Sequence, residues 1–220
     1  MTLHDTLVVL DTCVLLKPRI SDVIMDMRAE KLFSAHWTTE IDHEFMRNMV
    51  EQFGVPRKHA LNRLNAYKSR CPEWQVLVTN FARRAVPTRV DEKDRHVAAA
   101  ALTLRIAADK ESAGDPDAGP YRVLLVTDNL RDFAVDQMAA LGISVMTGGA
   151  FLDAVYAENP AAARRAVQQA VSDLRNPPYT VQELLAALAK QGARVLVDGM
   201  QQGRVASPAR RPRPKSRPRP

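Results

Sequence analysis

Seven oxygen-bearing side chains stand where sequence pattern alone can bring them to one place: Asp11, Glu40, Glu44, Asp94, Asp128, Asn129 and Asp132. Asp11 follows a short, wholly apolar run, residues 7–10, of the kind that forms a strand buried on both faces. Open α/β sheets bind ligands beyond the carboxyl ends of such strands. Asp94 opens an alanine-rich helical pattern in which Val97, Ala98, Ala101 and Leu102 share its face, so its carboxylate should point inward. Glu44 lies at the rim of the apolar stripe Ile41, Phe45, Met49 and Phe53, and Glu40 sits one turn earlier on the same side. Asp128, Asn129 and Asp132 follow a second apolar run, residues 123–126.

Each of these residues also has an ordinary use as a turn aspartate, a helix cap or a solvated side chain. Taken together they point to a cation. Clustered carboxylates repel one another, and hard oxygen ligands without a Cys or His cluster suit Mg²⁺ or Mn²⁺ better than Zn²⁺. Such an ion can activate water and neutralise charge developing on a phosphoryl oxygen. The histidines, His4, His36, His43, His59 and His96, form no zinc-ligand motif and are expected at the surface or in satisfied packing roles.

The elements that must position these side chains read as strands alternating with helices. Residues 7–10 and 123–126 are the clearest strands, and residues 143–146 a weaker third. Helices are expected from Thr38 or Thr39 to about residue 52, from Pro56 onward, and from Asp91 or Asp94 to about residue 108. Two more follow, one over about 160–174 and one opened by the capping-box pair Thr180 and Glu183. Asn176, Pro177 and Pro178 separate them, and the polar stretch 109–120 reads as an exposed loop. The alternation argues for a parallel α/β sheet with right-handed crossovers.

Charge is segregated. The 220 residues carry a formal net charge of +6, yet seven of the 31 basic residues lie from Arg204 onward with no acid among them. The preceding 203 residues therefore hold 24 basic against 25 acidic side chains. The final stretch alternates Arg with Pro and is expected to be a disordered or polyproline-like tail, either simply solvated or a phosphate-binding arm. Cys13 and Cys71 offer neither metal spacing nor a disulfide framework. No apolar run is long enough to cross a bilayer and no secretory leader is evident, so a cytoplasmic setting is expected.

Four segments, in order, resemble the PIN-domain ribonucleases, and specifically the VapC-like toxins of type II toxin-antitoxin pairs: VVLDTCVLL with Asp11, HWTTEIDHEF with Glu44, DEKDRHVAAAAL with Asp94, and LLVTDNLRDF with Thr127, Asn129 and Asp132. Residues 174–188 are similar to the C-terminal extension of one bacterial PIN subgroup. The resemblance implies an α/β fold, a Rossmann-like αβα sandwich with a mainly parallel central sheet and added C-terminal helices. It further implies a nuclease domain over 1–157, a helical extension over 158–203 and the basic tail over 204–220. Carried over residue by residue, it makes Asp11 and Asp94 ligands of Mg²⁺, or of Mn²⁺ in its place. Glu44 supports them, and the fourth position is Asn129, with Asp132 or Asp128 supplying the further charge. The implied partners are an RNA substrate and a cognate antitoxin, with a homodimer compatible and no membrane. A catalytically degenerate PIN module that binds RNA or a protein is the alternative. A receiver-like phosphoryl domain fits less well, because Thr127 is followed by Asp128 and Asn129 rather than by the lysine expected after a late strand.

Overall fold

A computed structural model of the chain describes residues 5–114, 120–174 and 178–205. At its centre is a four-stranded, all-parallel sheet built from β1 (Thr6–Leu10), β2 (Ser34–His36), β3 (Arg122–Val126) and β4 (Ile143–Met146), in the order β2-β1-β3-β4. The apolar runs explain the two central strands. Val8, Val9 and Leu10 of β1 and Val123 to Val126 of β3 are all buried, as strands covered on both faces require.

Helices flank this sheet. The chain order is α1 (Thr12–Leu15), α2 (Pro18–Ala29), α3 (Thr39–Arg47), α4 (Arg57–Arg70), α5 (Asn80–Ala85), α6 (Arg95–Gly114) and α7 (Val135–Ala140). The path from β1 to β2 runs one way across the sheet, and those from β2 to β3 and from β3 to β4 run the other way. Right-handed crossovers therefore put α2 on one face and α6 and α7 on the opposite face. The alanines of α6 serve this geometry: Ala98 to Ala101 are buried where the helix lies against β1, β3 and β4. The direction of the connections reverses between β1 and β3, which makes the carboxyl ends of those two strands the switch point of the sheet.

Four further helices follow: α8 (Gly148–Glu158), α9 (Pro160–Asp173), α10 (Val181–Lys190) and α11 (Arg194–Val205). They close over α2, and one continuous apolar cluster runs from Val8 and Leu125 to Leu184, Leu188 and Leu196. The capping box of Thr180 and Glu183 is formed in full. Asp153 of α8 caps α11 by accepting from the backbone N–H of Arg194 (3.1 Å) and Leu196 (2.8 Å). Close packing demands glycine at two places. A Cβ on Gly149 would stand 2.2 Å from the Gln191 carbonyl oxygen, and one on Gly199 would stand 2.2 Å from the Tyr156 hydroxyl.

The structure departs from the sequence expectations at several points. Helix α3 ends at Arg47, and the chain continues to Gln52 as a π-helical turn. The helix expected to stop near residue 108 runs on to Gly114, so the first half of the anticipated loop is helical. Residues 115–119 lie outside the described residues, as do Asn176 and Pro177 and all of the basic tail beyond Val205. Strand β2 was not expected, since Ser-Ala-His has neither an apolar run nor an alternation long enough to register. Among the described residues no helix is long and apolar enough to cross a membrane.

Candidate active site

The pairing of β1 with β3 continues past the last strand residues, because the backbone N–H of Asp11 donates to the Val126 carbonyl at 3.0 Å. Asp11 and Thr127 thereby become neighbours at the switch point, and the Thr127 hydroxyl donates to Asp11 Oδ2 at 2.6 Å. Cys13 Sγ donates to the same oxygen at 3.1 Å. Both donors address Oδ2. The Asp11 side chain is thus buried at 5% exposure, oriented, and left with Oδ1 available. The Cys13 thiol is no nucleophile: burial, and then the charge of Asp11, push its pKa up to about 12, so it remains a neutral donor.

Asp94 comes from a different element, the last residue of a 3₁₀ turn (Glu92–Asp94) that Asp91 caps and that leads directly into α6. A backbone bond from Asp91 N–H to the Asp132 carbonyl (2.9 Å) joins this turn to the short helical turn Leu130–Phe133 after β3. Asn129 completes the junction, its amide donating to Asp94 Oδ2 (3.3 Å) and to Asp132 Oδ2 (2.5 Å). Burial and then the nearby charge of Asp11 push the Asp94 pKa up to about 6, against a smaller opposing pull from Lys93. The two carboxylates therefore feel one another directly.

Glu44 projects from α3, whose start is set by Thr38 accepting from the Ile41 N–H at 3.2 Å. Its Oε2 accepts from the Thr12 hydroxyl at 2.7 Å, one residue after Asp11, and faces His96 Nε2 at 3.6 Å. Burial works against its charge, but His96 and Thr12 outweigh burial and hold its pKa below the usual carboxylate range. In return Glu44 raises His96 despite the burial of the ring. Lys93 O faces His96 Nδ1 at 2.9 Å, which fixes the ring.

The structure gathers Asp11, Glu44, Asp94, Asn129 and Asp132 at the carboxyl end of the sheet. Two alternatives left open by the sequence are placed elsewhere. Asp128 accepts from Lys17 Nζ at 2.6 Å and caps α8 through the Gly148 N–H at 3.1 Å. Glu40 pairs with Arg83 at 3.0 Å on the exposed side of α3. Sequence reasoning missed His96 and Thr12. The i+2 spacing from Asp94 and the position directly after Asp11 were the available signals, and neither distinguishes a partner of Glu44 from an ordinary helix residue. His36 packs in the interior with its Nδ1 at 2.8 Å from the Glu73 carbonyl and its pKa lowered by burial, but its Nε2 is buried without a partner among the described residues, so it is only half satisfied.

The donor set suits a hard divalent ion. Oδ1 of buried Asp11 receives neither of its two hydrogen bonds, and Asp94 is repelled by Asp11. Among the described residues no three His, Cys, Asp or Glu side chains form a group that could hold a metal ion. Mg²⁺ needs no such group, since it keeps several waters and is held through one or two carboxylates together with substrate phosphates.

Comparison with known families matches residues 149–202 to the VapC50 C-terminal domain. These residues make up nearly all of α8 to α11 and include none of the carboxylates at the strand ends. No curated protein and no solved structure matches the chain.

Proposed function

We propose that this chain is a Mg²⁺-dependent endoribonuclease, the toxin of a type II toxin-antitoxin pair, with Mn²⁺ able to replace Mg²⁺. One observation carries the reading. Asp11 and Asp94 arrive from separate elements at the switch point of a parallel sheet, and the charge of Asp11 adds to burial, the larger cause, in raising the Asp94 pKa to about 6. A bound cation would stabilise two such carboxylates, because its attraction to both offsets their mutual repulsion. The match of the last four helices to a VapC C-terminal domain supports the toxin assignment and, with it, a cognate antitoxin partner and a cytoplasmic setting.

In this reading Asp11 and Asp94 hold the ion, which when bound supplies an activated water and charge neutralisation at the scissile phosphate. Thr127 and Cys13 fix Asp11 in one rotamer. Thr12 and His96 keep Glu44 ionised and turned toward the same end of the sheet. Asn129 holds Asp94 and Asp132 together without adding charge.

The test is to incubate the purified protein with total RNA in Mg²⁺, in Mn²⁺ and with a chelator. Cleavage with either ion, lost with the chelator and absent from Asp11→Asn, is the expected result. Cleavage that survives chelation, or that Asp11→Asn retains, would overturn the assignment.

A further inference from the structure

The cation nearest this carboxylate group belongs to the chain itself. Lys93 Nζ lies 2.8 Å from Asp132 Oδ2 and 4.0 Å from Asp94 Oδ2. Its backbone is fixed, because the Lys93 N–H donates to Asp91 Oδ1 at 3.1 Å and the next residue is Asp94. The side chain is 65% exposed, and those two carboxylates are its ion-pair partners among the described residues. A tethered ammonium, anchored on Asp132, thus stands beside Asp94, one of the two acids that would hold the divalent ion.

We infer that Lys93, anchored on Asp132, is a built-in counter-ion that competes with the divalent ion for Asp94, and so sets the ion concentration at which the site loads. This rests on the nuclease reading above. An ammonium on a four-carbon stem neutralises carboxylates as a point charge but cannot bridge them as a coordinating ion does. Its exposed pairs are weak and screened by salt, so a dication displaces it at a modest cost in affinity. Linkage makes the competition reciprocal: the ion weakens the hold of Lys93 on the acids by the same factor as that hold weakens the binding of the ion.

The experiment measures Mn²⁺ binding by electron paramagnetic resonance of the free ion, without RNA, for the whole chain. The wild type is compared with Lys93→Met, Lys93→Arg and Lys58→Met, the last removing an exposed lysine of α4 as a control for net charge. Lys93→Met is expected to bind Mn²⁺ about two- to fivefold more tightly than the wild type, the range of an exposed ion pair. Lys93→Arg and Lys58→Met should match the wild type, and the gain should shrink as salt is raised. Unchanged or weaker binding by Lys93→Met, or an equal gain in Lys58→Met, overturns the counter-ion role while leaving the nuclease reading intact. Absence of Mn²⁺ binding by both the wild type and Lys93→Met overturns the nuclease reading, and this inference with it.

Discussion

Two regions of the molecule gather aspartates, and they use them in opposite ways. At the strand ends Asp11, Asp94 and Asp132 are joined by Glu44 and Asn129. Between α2, α4 and α9, Asp22, Asp26 and Asp173 line a cleft of about 180 Å³ together with Arg63, Arg70 and Tyr67. In the cleft the acids are matched by arginines. Arg63 pairs with Asp22 at 3.1 Å, and Arg70 spans Asp26 and Asp173 at 2.8 Å each. At the strand ends Lys93, which pairs with Asp132 and Asp94, is exposed, and Asp11 is served by neutral donors.

A raised pKa does not tell these regions apart. Asp26 and Asp94 are both pushed up to about 6, and burial leads in both. The second cause separates them. For Asp26 it is the opposing pull of Arg70, for Asp94 the added repulsion of Asp11. The acids of the cleft balance their charge against arginines that join the helices, whereas the strand-end acids are the ones whose charge the proposed ion would neutralise.

The sharpest way to break this contrast is to neutralise the strand-end pair. Asp11→Asn or Asp94→Asn should lower the cleavage rate by at least about 100-fold at nearly constant shape, since each removes anionic charge from the ion's ligands. Far-UV circular dichroism of the variants should overlay that of the wild type. Wild-type turnover in either variant would mean that the unbalanced cluster is not the reaction centre.

Glu44→Gln should cost about tenfold in cleavage rate, the usual scale for a residue that supports a metal site from outside its ligands. Glu40→Gln, whose carboxylate pairs with exposed Arg83, should cost little. Equal losses in the two variants would show that α3 contributes through general charge and not through the contacts of Glu44 with Thr12 and His96.

The seam between core and extension should respond in stability and not in activity. Arg70→Ala leaves Asp26 and Asp173 without their shared partner and should destabilise the chain by about 1–3 kcal/mol, discounted because Arg70 is partly exposed. That corresponds to a fall in melting temperature of roughly 2–12 °C for a chain of this size. Cleavage per folded molecule should be unchanged, and a large loss of specific activity would tie the cleft to the reaction.

The smallest expected effect concerns pH. Folding raises the Asp94 pKa from 3.8 to about 6, so ionising this group opposes folding at neutral pH; the penalty shrinks as pH falls below about 6 and is gone only below the unfolded value of 3.8. Without divalent ions, Asp94→Asn should therefore melt a few degrees above the wild type near pH 7.5, by a smaller margin near pH 5, and at nearly the same temperature near pH 3.5, where Asp94 is largely protonated in the unfolded chain as well. Thermal scans of both proteins in chelator at the three pH values check this. A gap that stays undiminished down to pH 3.5 would assign the stabilisation to something other than relief of charge.

Much of the fold was legible from local pattern. Apolar runs of four or five residues marked β1 and β3 because a strand covered on both faces admits few polar side chains, and Thr180 with Glu183 marked a helix start because a capping box is a contact between near neighbours. Strand β2, at three residues, carried no such pattern. The early end expected for α6 reflects the same limit, since the polar residues from Asp109 onward continue the helix on its exposed side.

Sequence by itself determined which residues end the buried strands and open the helices, and so which acids were candidates. It did not determine which of them meet, because β1 and β3 are over a hundred residues apart and their adjacency is a property of the whole sheet. Only the tertiary structure turned Asp128 toward Lys17 and the start of α8, set Asn129 between Asp94 and Asp132, and brought Thr12 and His96 to Glu44. The physical reason is that a carboxylate's role depends on the charges and donors within a few ångströms of it, and at the switch point of a sheet those neighbours come from distant parts of the chain.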